Sequence, residues 1–126
     1  MHRSRLSTVV IDCQTADLDS AAQFWAQALN RPARRPADPA DGNYRDLETP
    51  PGEMVVVIQQ VDHASRVHID IETDDLDAEV ARLEKLGARR VGFVKRWWVM
   101  EAPTGQRFCV VRPQRADFPH GATEWP

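Results

Sequence analysis

The chain has 126 residues, enough for one domain that buries its own core without disulfides. Apolar residues make up 42%, charged residues 28%, and the formal net charge is −3. That is a globular composition with no basic footprint for nucleic acid. The longest aliphatic run, Met54–Ile58, is far short of the roughly 20 residues of a membrane span. The opening MHRSRLSTVV holds no apolar stretch long enough for a secretory leader. Cys13 and Cys109 form no metal-knuckle spacing and no disulfide framework, so a cytoplasmic location is expected.

The first predicted element is the period-two run VVIDC (9–13), a strand. It passes into an acidic helix start, TADLD (15–19), where carboxylates favour the positive helix end. Leu18, Ala22, Trp25 and Leu29 continue at helical spacing, and Asn30 with Pro32 ends the helix. A Pro/Arg-rich loop (31–42) has room for a short edge strand. The strands YRDLET (44–49) and MVVVIQQV (54–61) follow.

The pattern then starts again. VHIDI (67–71) opens a strand, TDDLD (73–77) a helix start, and Leu76, Val80, Leu83 and Leu86 a helix stopped by Gly87. ARRVGFV (88–94), RWWVMEA (96–102) and RFCVVR (107–112) read as strands. Sliding the chain by 58 residues lays VVIDCQTADLD on VHIDIETDDLD with seven identities in eleven positions. The expected fold is α+β, two tandem β-α-β-β-β modules at about 6–62 and 65–112 within one domain (1–112). A sheet with one helix on one face leaves its other face bare, so the two modules are expected to curl into a half-barrel around a shared cavity. Residues 113–126 carry three prolines and no periodicity and read as a tail.

The segments DLDSAAQFW, VHIDIETDDLDAEVARLEKLGA and the hairpin MEAPTGQRFCVV together resemble the vicinal oxygen chelate superfamily, the glyoxalase/bleomycin-resistance fold. Ala102 stands where that family's turn usually has Asp. The resemblance implies the half-barrel, a cavity and often a divalent metal held by one ligand from each of four strands. Carried over by position, with GQRFC (105–109) aligned on GEMVV (52–56), the four places are His68, Val10, Cys109 and Val56; a slip of the closing strand would bring in Gln59 or Gln60, neither a strong ligand. Only His68 is a family ligand, and two aliphatic positions bind nothing. No cofactor and no standard metal site are therefore expected.

Strand alternation from His68 sends Asp70 and Glu72 to the cavity, and Val67, Ile69 and Ile71 to the helix side. The repeat places Val10 and Asp12 in the cavity, with Arg107 and Cys109 on the closing strand. Asp12 and Asp70 are repeat mates, and two carboxylates held close push one pKa upward, which suits acid/base work beside His68. The alternative is plain ion pairing with Arg66, Arg107 or Arg112. Of the adjacent tryptophans, Trp97 is assigned to the cavity as an aromatic wall and Trp98 to the core. Cys109 reads as an inert thiol, with a Cys–His pair as the alternative.

Two functions follow. One is a glyoxalase-like protein, an isomerase or lyase, that transforms a small organic molecule with His68, Asp70 and Asp12. The other is a non-catalytic module that binds and sequesters such a molecule, as antibiotic-binding resistance proteins do. Phe118 and Trp125 on an aperiodic tail suggest packing across a homodimer partner, or else folding back in cis over the chain's own sheet.

Overall fold

Every residue from 1 to 126 is described by the computed structural model. The chain is α+β, with nine strands and two helices. In order these are β1 (His2–Gln14), α1 (Leu18–Leu29), β2 (Ala33–Arg34), β3 (Tyr44–Leu47), β4 (Val55–Val61), β5 (Arg66–Thr73), α2 (Leu76–Lys85), β6 (Arg89–Val94), β7 (Trp97–Glu101), β8 (Arg107–Val111) and β9 (Thr123–Trp125). A 3₁₀ turn occupies Pro39–Asp41. The short edge strand expected in the Pro/Arg-rich loop is β2. Two compact units divide the chain: Thr8–Val67, and Met1–Ser7 together with His68–Pro126. The first seven residues thus group with the second half of the sequence, and so does the tail.

Both helices start by the same device, which explains the repeat. Thr15 Oγ1 accepts from the Asp17 N–H at 3.0 Å, and Asp17 Oδ1 accepts from the Ser20 N–H at 3.1 Å. Thr73 and Asp75 do the same to Asp75 N–H and Ala78 N–H, at 3.2 and 3.0 Å. Each Thr–Asp pair satisfies N–H groups that the first helical turn leaves without partners. The ends differ. Asn30 closes α1 in the left-handed conformation at φ 55°, with its N–H on the Ala26 and Gln27 carbonyls. Gly87 follows α2 at φ 107°, where any side chain would strain the backbone and its Cβ would press on Pro103 at 3.1 Å.

In the unit Thr8–Val67 the strands run in the order β2-β3-β4-β1, with β4 parallel to β1. Leu18, Ala22 and Ala26 of α1 pack on Leu47 and Ile58, flanked by Ile11, Cys13 and Val56. Buried Arg45 of β3 reaches Asp19 at 2.7 Å, which ties the first turn of α1 to the sheet and holds the Asp19 carboxyl below its ordinary range. In the other unit the order is β5-β8-β7-β6, with β5 parallel to β8. Val80 and Leu83 of α2 pack on Met100, Phe108 and Val110, flanked by Ile71, Leu76 and Trp98.

The apolar stripes run further than the cores they feed. Leu29 and Leu86, read as the last core positions of their helices, are 43% and 67% exposed because they lie at the helix ends. Val67 and Ile69, on the helix side by alternation, are 60% and 41% exposed. Among the three alternating aliphatics of that strand, only Ile71 joins the cluster under α2.

The tail folds in cis. β9 pairs antiparallel with the start of β1, His2 opposite Trp125. Trp125 Nε1 donates to Ser4 Oγ at 2.8 Å, and the Arg82 guanidinium lies 3.8 Å over its ring. Arg5 sits 5.3 Å over the Phe118 ring, pairs with Asp117 at 2.7 Å and donates to the His120 carbonyl. Both aromatics therefore have partners within the chain, and the dimer inferred from them loses that support. Beneath β9, Glu79 of α2 is fully buried and takes hydrogen bonds from His2 and Arg82, each at 2.8 Å. Burial alone would raise the Glu79 carboxyl, but the bonds from Arg82, His2 and Ser4 outweigh it and hold the group below its ordinary value.

Glu72 is also fully buried, and it joins three segments. Its Oε2 accepts from Arg5 Nε at 2.6 Å, and its Oε1 accepts from the N–H groups of Gln114 and Arg115 at 2.7 and 3.0 Å. Removing one partner of a buried pair strands the other charge, at a cost of about 3–5 kcal/mol. Glu72→Ala is expected to lose stability of that order in urea unfolding followed by circular dichroism. A loss below about 1 kcal/mol would show that the three segments hold together without it.

Candidate functional site

The face of β5-β8-β7 turned away from α2 is set by register. Phe108 and Val110 of β8, and Trp98 and Met100 of β7, belong to the core under the helix. Alternation then puts Arg107, Cys109 and Val111, and Trp97, Val99 and Glu101, on the opposite face. Asp70 pairs with Cys109, which pairs with Val99. Arg107 pairs with Glu101. His68, Asp70, Arg107, Cys109 and Trp97 therefore share one face of one unit, as alternation implied.

Three of these side chains cluster. A ring nitrogen of His68, a carboxylate oxygen of Asp70 and the Cys109 sulfur all lie within 4.8 Å of one another. His68 Nε2 is 3.4 Å from Asp70 Oδ1, close enough for charge pairing but not aligned as a hydrogen bond. That Asp70 oxygen is shielded from solvent and takes no hydrogen bond. The side chains of His68 and Asp70 are 12% and 18% exposed. Beside them Glu101 bridges Arg89 at 2.6 Å and Arg107 at 3.4 Å, and those cations hold its carboxyl below the ordinary range. Glu72, also assigned to ligand binding, spends both oxygens on Arg5 and the tail backbone and has no exposed surface.

In the unit Thr8–Val67, Val56 does not stand where it was placed. It packs with the core under α1, on the helix side. The hairpin alignment that matched Val56 with Cys109 slips, because the register pairs Asp12 with Gln59 as it pairs Asp70 with Cys109. Gln59 is thus the structural mate of Cys109. Its side-chain amide donates to the Tyr44 hydroxyl at 3.0 Å, a contact that no sequence signal marked. Val10 is buried at 3%. Asp12, 2% exposed, faces Arg66 at 3.7 Å, the ion pair weighed as the alternative to a catalytic role.

The four-ligand set implied by the resemblance does not fit these residues. Val10 offers no donor, Val56 is turned to the core, and the mate that replaces it, Gln59, is a neutral amide already engaged. A cleft of about 400 Å³ opens instead at the start of α2, between Leu76, Asp77, Phe93, Trp98 and Pro113. Trp98 places it on the helix side of its sheet, the face opposite to His68 and Cys109, so it is a separate feature.

The profile of the family described as Glyoxalase-like domain matches residues 8–111. No curated protein matches the chain. Among solved structures, methylmalonyl-CoA epimerase from Mycobacterium tuberculosis aligns at 18% identity over 87% of this chain and 88% of that one, with TM-score 0.59. A hypothetical protein from Bacillus halodurans aligns at 12% identity, 90% and 99% coverage and TM-score 0.56. An extradiol ring-cleaving dioxygenase from B. fuscum aligns at 16% identity over 88% of this chain but 33% of its own length, with TM-score 0.57. At these identities the likeness is one of fold.

Protein purified without a metal-binding tag or added metal is expected to carry far less than one divalent ion per chain, measured by elemental mass spectrometry. One tightly held ion per chain would overturn the metal-free reading and point to His68, Asp70 and Cys109, the three donors that lie within 4.8 Å of one another, as its ligands.

Proposed function

The chain belongs to the glyoxalase-like domain family of the vicinal oxygen chelate superfamily, and we propose that it binds a small organic molecule against the His68–Asp70–Cys109 face and moves a proton on it. The observation that carries this reading is Asp70 Oδ1. It is kept from water, takes no hydrogen bond and faces the His68 ring at 3.4 Å. Such an oxygen keeps its lone pairs for an incoming donor, and an imidazole takes and returns protons near neutral pH. Several structural relatives are named methylmalonyl-CoA epimerases. A carbon next to a carbonyl exchanges its proton when a base removes it and an acid returns one. Asp70 serves as the base, and His68 steadies the resulting charge and gives a proton back. Trp97 and Val99 supply apolar contact on the same face, and Arg107 a cation for a carbonyl or carboxylate oxygen. Asp12, balanced by Arg66, is left as a charge-paired wall residue.

The second reading is a sequestering module with no turnover. Val10 and Gln59 at two ligand positions support it, since they strip the site of the family's metal chemistry. One experiment separates the two: exchange of α-protons for deuterium by NMR, over a panel of α-branched acyl thioesters and ketones. Exchange of at least one panel member is expected, with Asp70→Asn lowering its rate by about 10²–10⁴. Saturable binding without exchange would leave the sequestering reading, and an unchanged rate in Asp70→Asn would remove the role given to that residue.

A homodimer in the cytoplasm completes the proposal. With the tail packed in cis, its support is β6, which ends its sheet and exposes Val91, Phe93 and Val94. Light scattering at micromolar concentration is expected to give twice the chain mass. A monomer mass would reject the assembly.

A further inference from the structure

Cys109 has no part in the proton transfer described above, yet it stands in the same cluster. We propose that Cys109 is a reactive thiol that captures soft electrophiles, α,β-unsaturated carbonyl compounds, with His68 as the base that takes its proton. The inference rests on the same face as the proposed function but on different chemistry.

Register supplies the placement. Parallel pairing of β5 with β8 sets Asp70 opposite Cys109, so the sulfur and the carboxylate project side by side, with a His68 ring nitrogen within 4.8 Å of both. That separation suits proton transfer through one water or after a small side-chain shift, and such contacts are often long before a ligand binds. Moving the proton from sulfur to imidazole leaves the net charge of the three groups unchanged. The imidazolium formed lies beside Asp70, whose charge favours it. The thiolate is then flanked by that imidazolium, a setting that makes thiols reactive. Asp70 by itself disfavours a thiolate next to it, so reactivity depends on His68 holding the proton.

The addition balances within the site. The thiolate forms a bond to the β-carbon of the electrophile, and the π pair moves to give an enolate. The enolate takes the proton from His68 at its α-carbon, leaving a neutral thioether. Nothing is oxidised, no group leaves, and the adduct weighs the protein plus the whole electrophile. Arg107, two residues before Cys109 on the same face, places a cation where the enolate oxygen develops charge.

The second cysteine provides an internal control. Cys13 packs with the core under α1, and its sulfur points to the Ile11 carbonyl at 3.7 Å. Burial and then the charge of Asp12 push its thiol up from the ordinary value. Neither influence makes it a nucleophile.

The test treats the full chain at neutral pH with excess N-ethylmaleimide, an α,β-unsaturated imide, and follows each cysteine by peptide mass mapping. Cys109 is expected to be labelled at least about tenfold faster than Cys13. His68→Gln, which keeps most of the ring's bulk, and His68→Ala should each slow Cys109 by about tenfold and leave Cys13 unchanged. An unchanged Cys13 rate also reports that the variants are folded. Equal rates at the two cysteines in the native chain would overturn the proposal. So would a Cys109 rate that stays the same or rises in both His68 variants, because the ring would then be a shield and not a base. Labelling reads the sulfur and deuterium exchange reads Asp70, so failure of either idea leaves the other standing on its own result.

Discussion

A buried carboxylate with all its partners supplied organises the unit that carries the candidate site. Glu72 sits at the end of β5 and accepts from Arg5 on β1 and from two backbone N–H groups just beyond β8. An unpaired charge there would be prohibitive, so the two segments must arrive together for the strand to close. Arg5, fixed by Glu72, in turn holds Asp117, the His120 carbonyl and the Phe118 ring. Those contacts bring the tail back so that β9 can pair with β1, where Trp125 meets Ser4 and Arg82. A strand that carries His68 and Asp70 at its exposed end is thus anchored at its buried end. Side chains on a rigid element keep the geometry that the proposed proton transfer needs.

The parts of this architecture legible in the sequence are those enforced by local chemistry. Thr-x-Asp-Leu-Asp recurs at 15–19 and 73–77 because a Thr hydroxyl and an Asp carboxylate together satisfy the same orphan N–H groups at both helix starts. Alternation follows from the core: Trp98 and Phe108 pack under α2, so Trp97 and Cys109 lie on the other face of their strands. The tail was not legible in the same way. Its pairing with β1 and its anchoring by Arg5 join residues more than 110 positions apart, and no periodicity in 113–126 encodes a partner that distant. The aromatics there did signal burial, but not against what.

Strand register was the other blind spot. The residues GEMVV and GQRFC look equivalent because each follows a Gly, but hairpin length differs between the halves and a turn residue does not fix a parallel register. The pairing of Asp12 with Gln59 and of Asp70 with Cys109 does. A slip by an odd number of residues turns a side chain to the opposite face. That is why Val56, counted from its Gly, lies in the core under α1, three residues from Gln59, while Gln59 faces away with Tyr44.

The corrected register shows how unevenly the two repeats have kept polar chemistry. On Thr8–Val67 the face away from the helix presents Val10, an amide bonded to a phenol, and an aspartate opposite an arginine. Each polar group there has a partner that neutralises or occupies it. On the other unit the corresponding positions are His68, Cys109 and Asp70, within 4.8 Å of one another. A duplicated fold needs the shared helix caps and core positions in both copies to stay folded, and it keeps them. It needs reactive groups in only one. The imidazole, the carboxylate and the thiol lie together on two adjacent strands of one repeat, so the proposed proton transfer draws on that copy alone, where a symmetric metal site would draw its ligands from both modules.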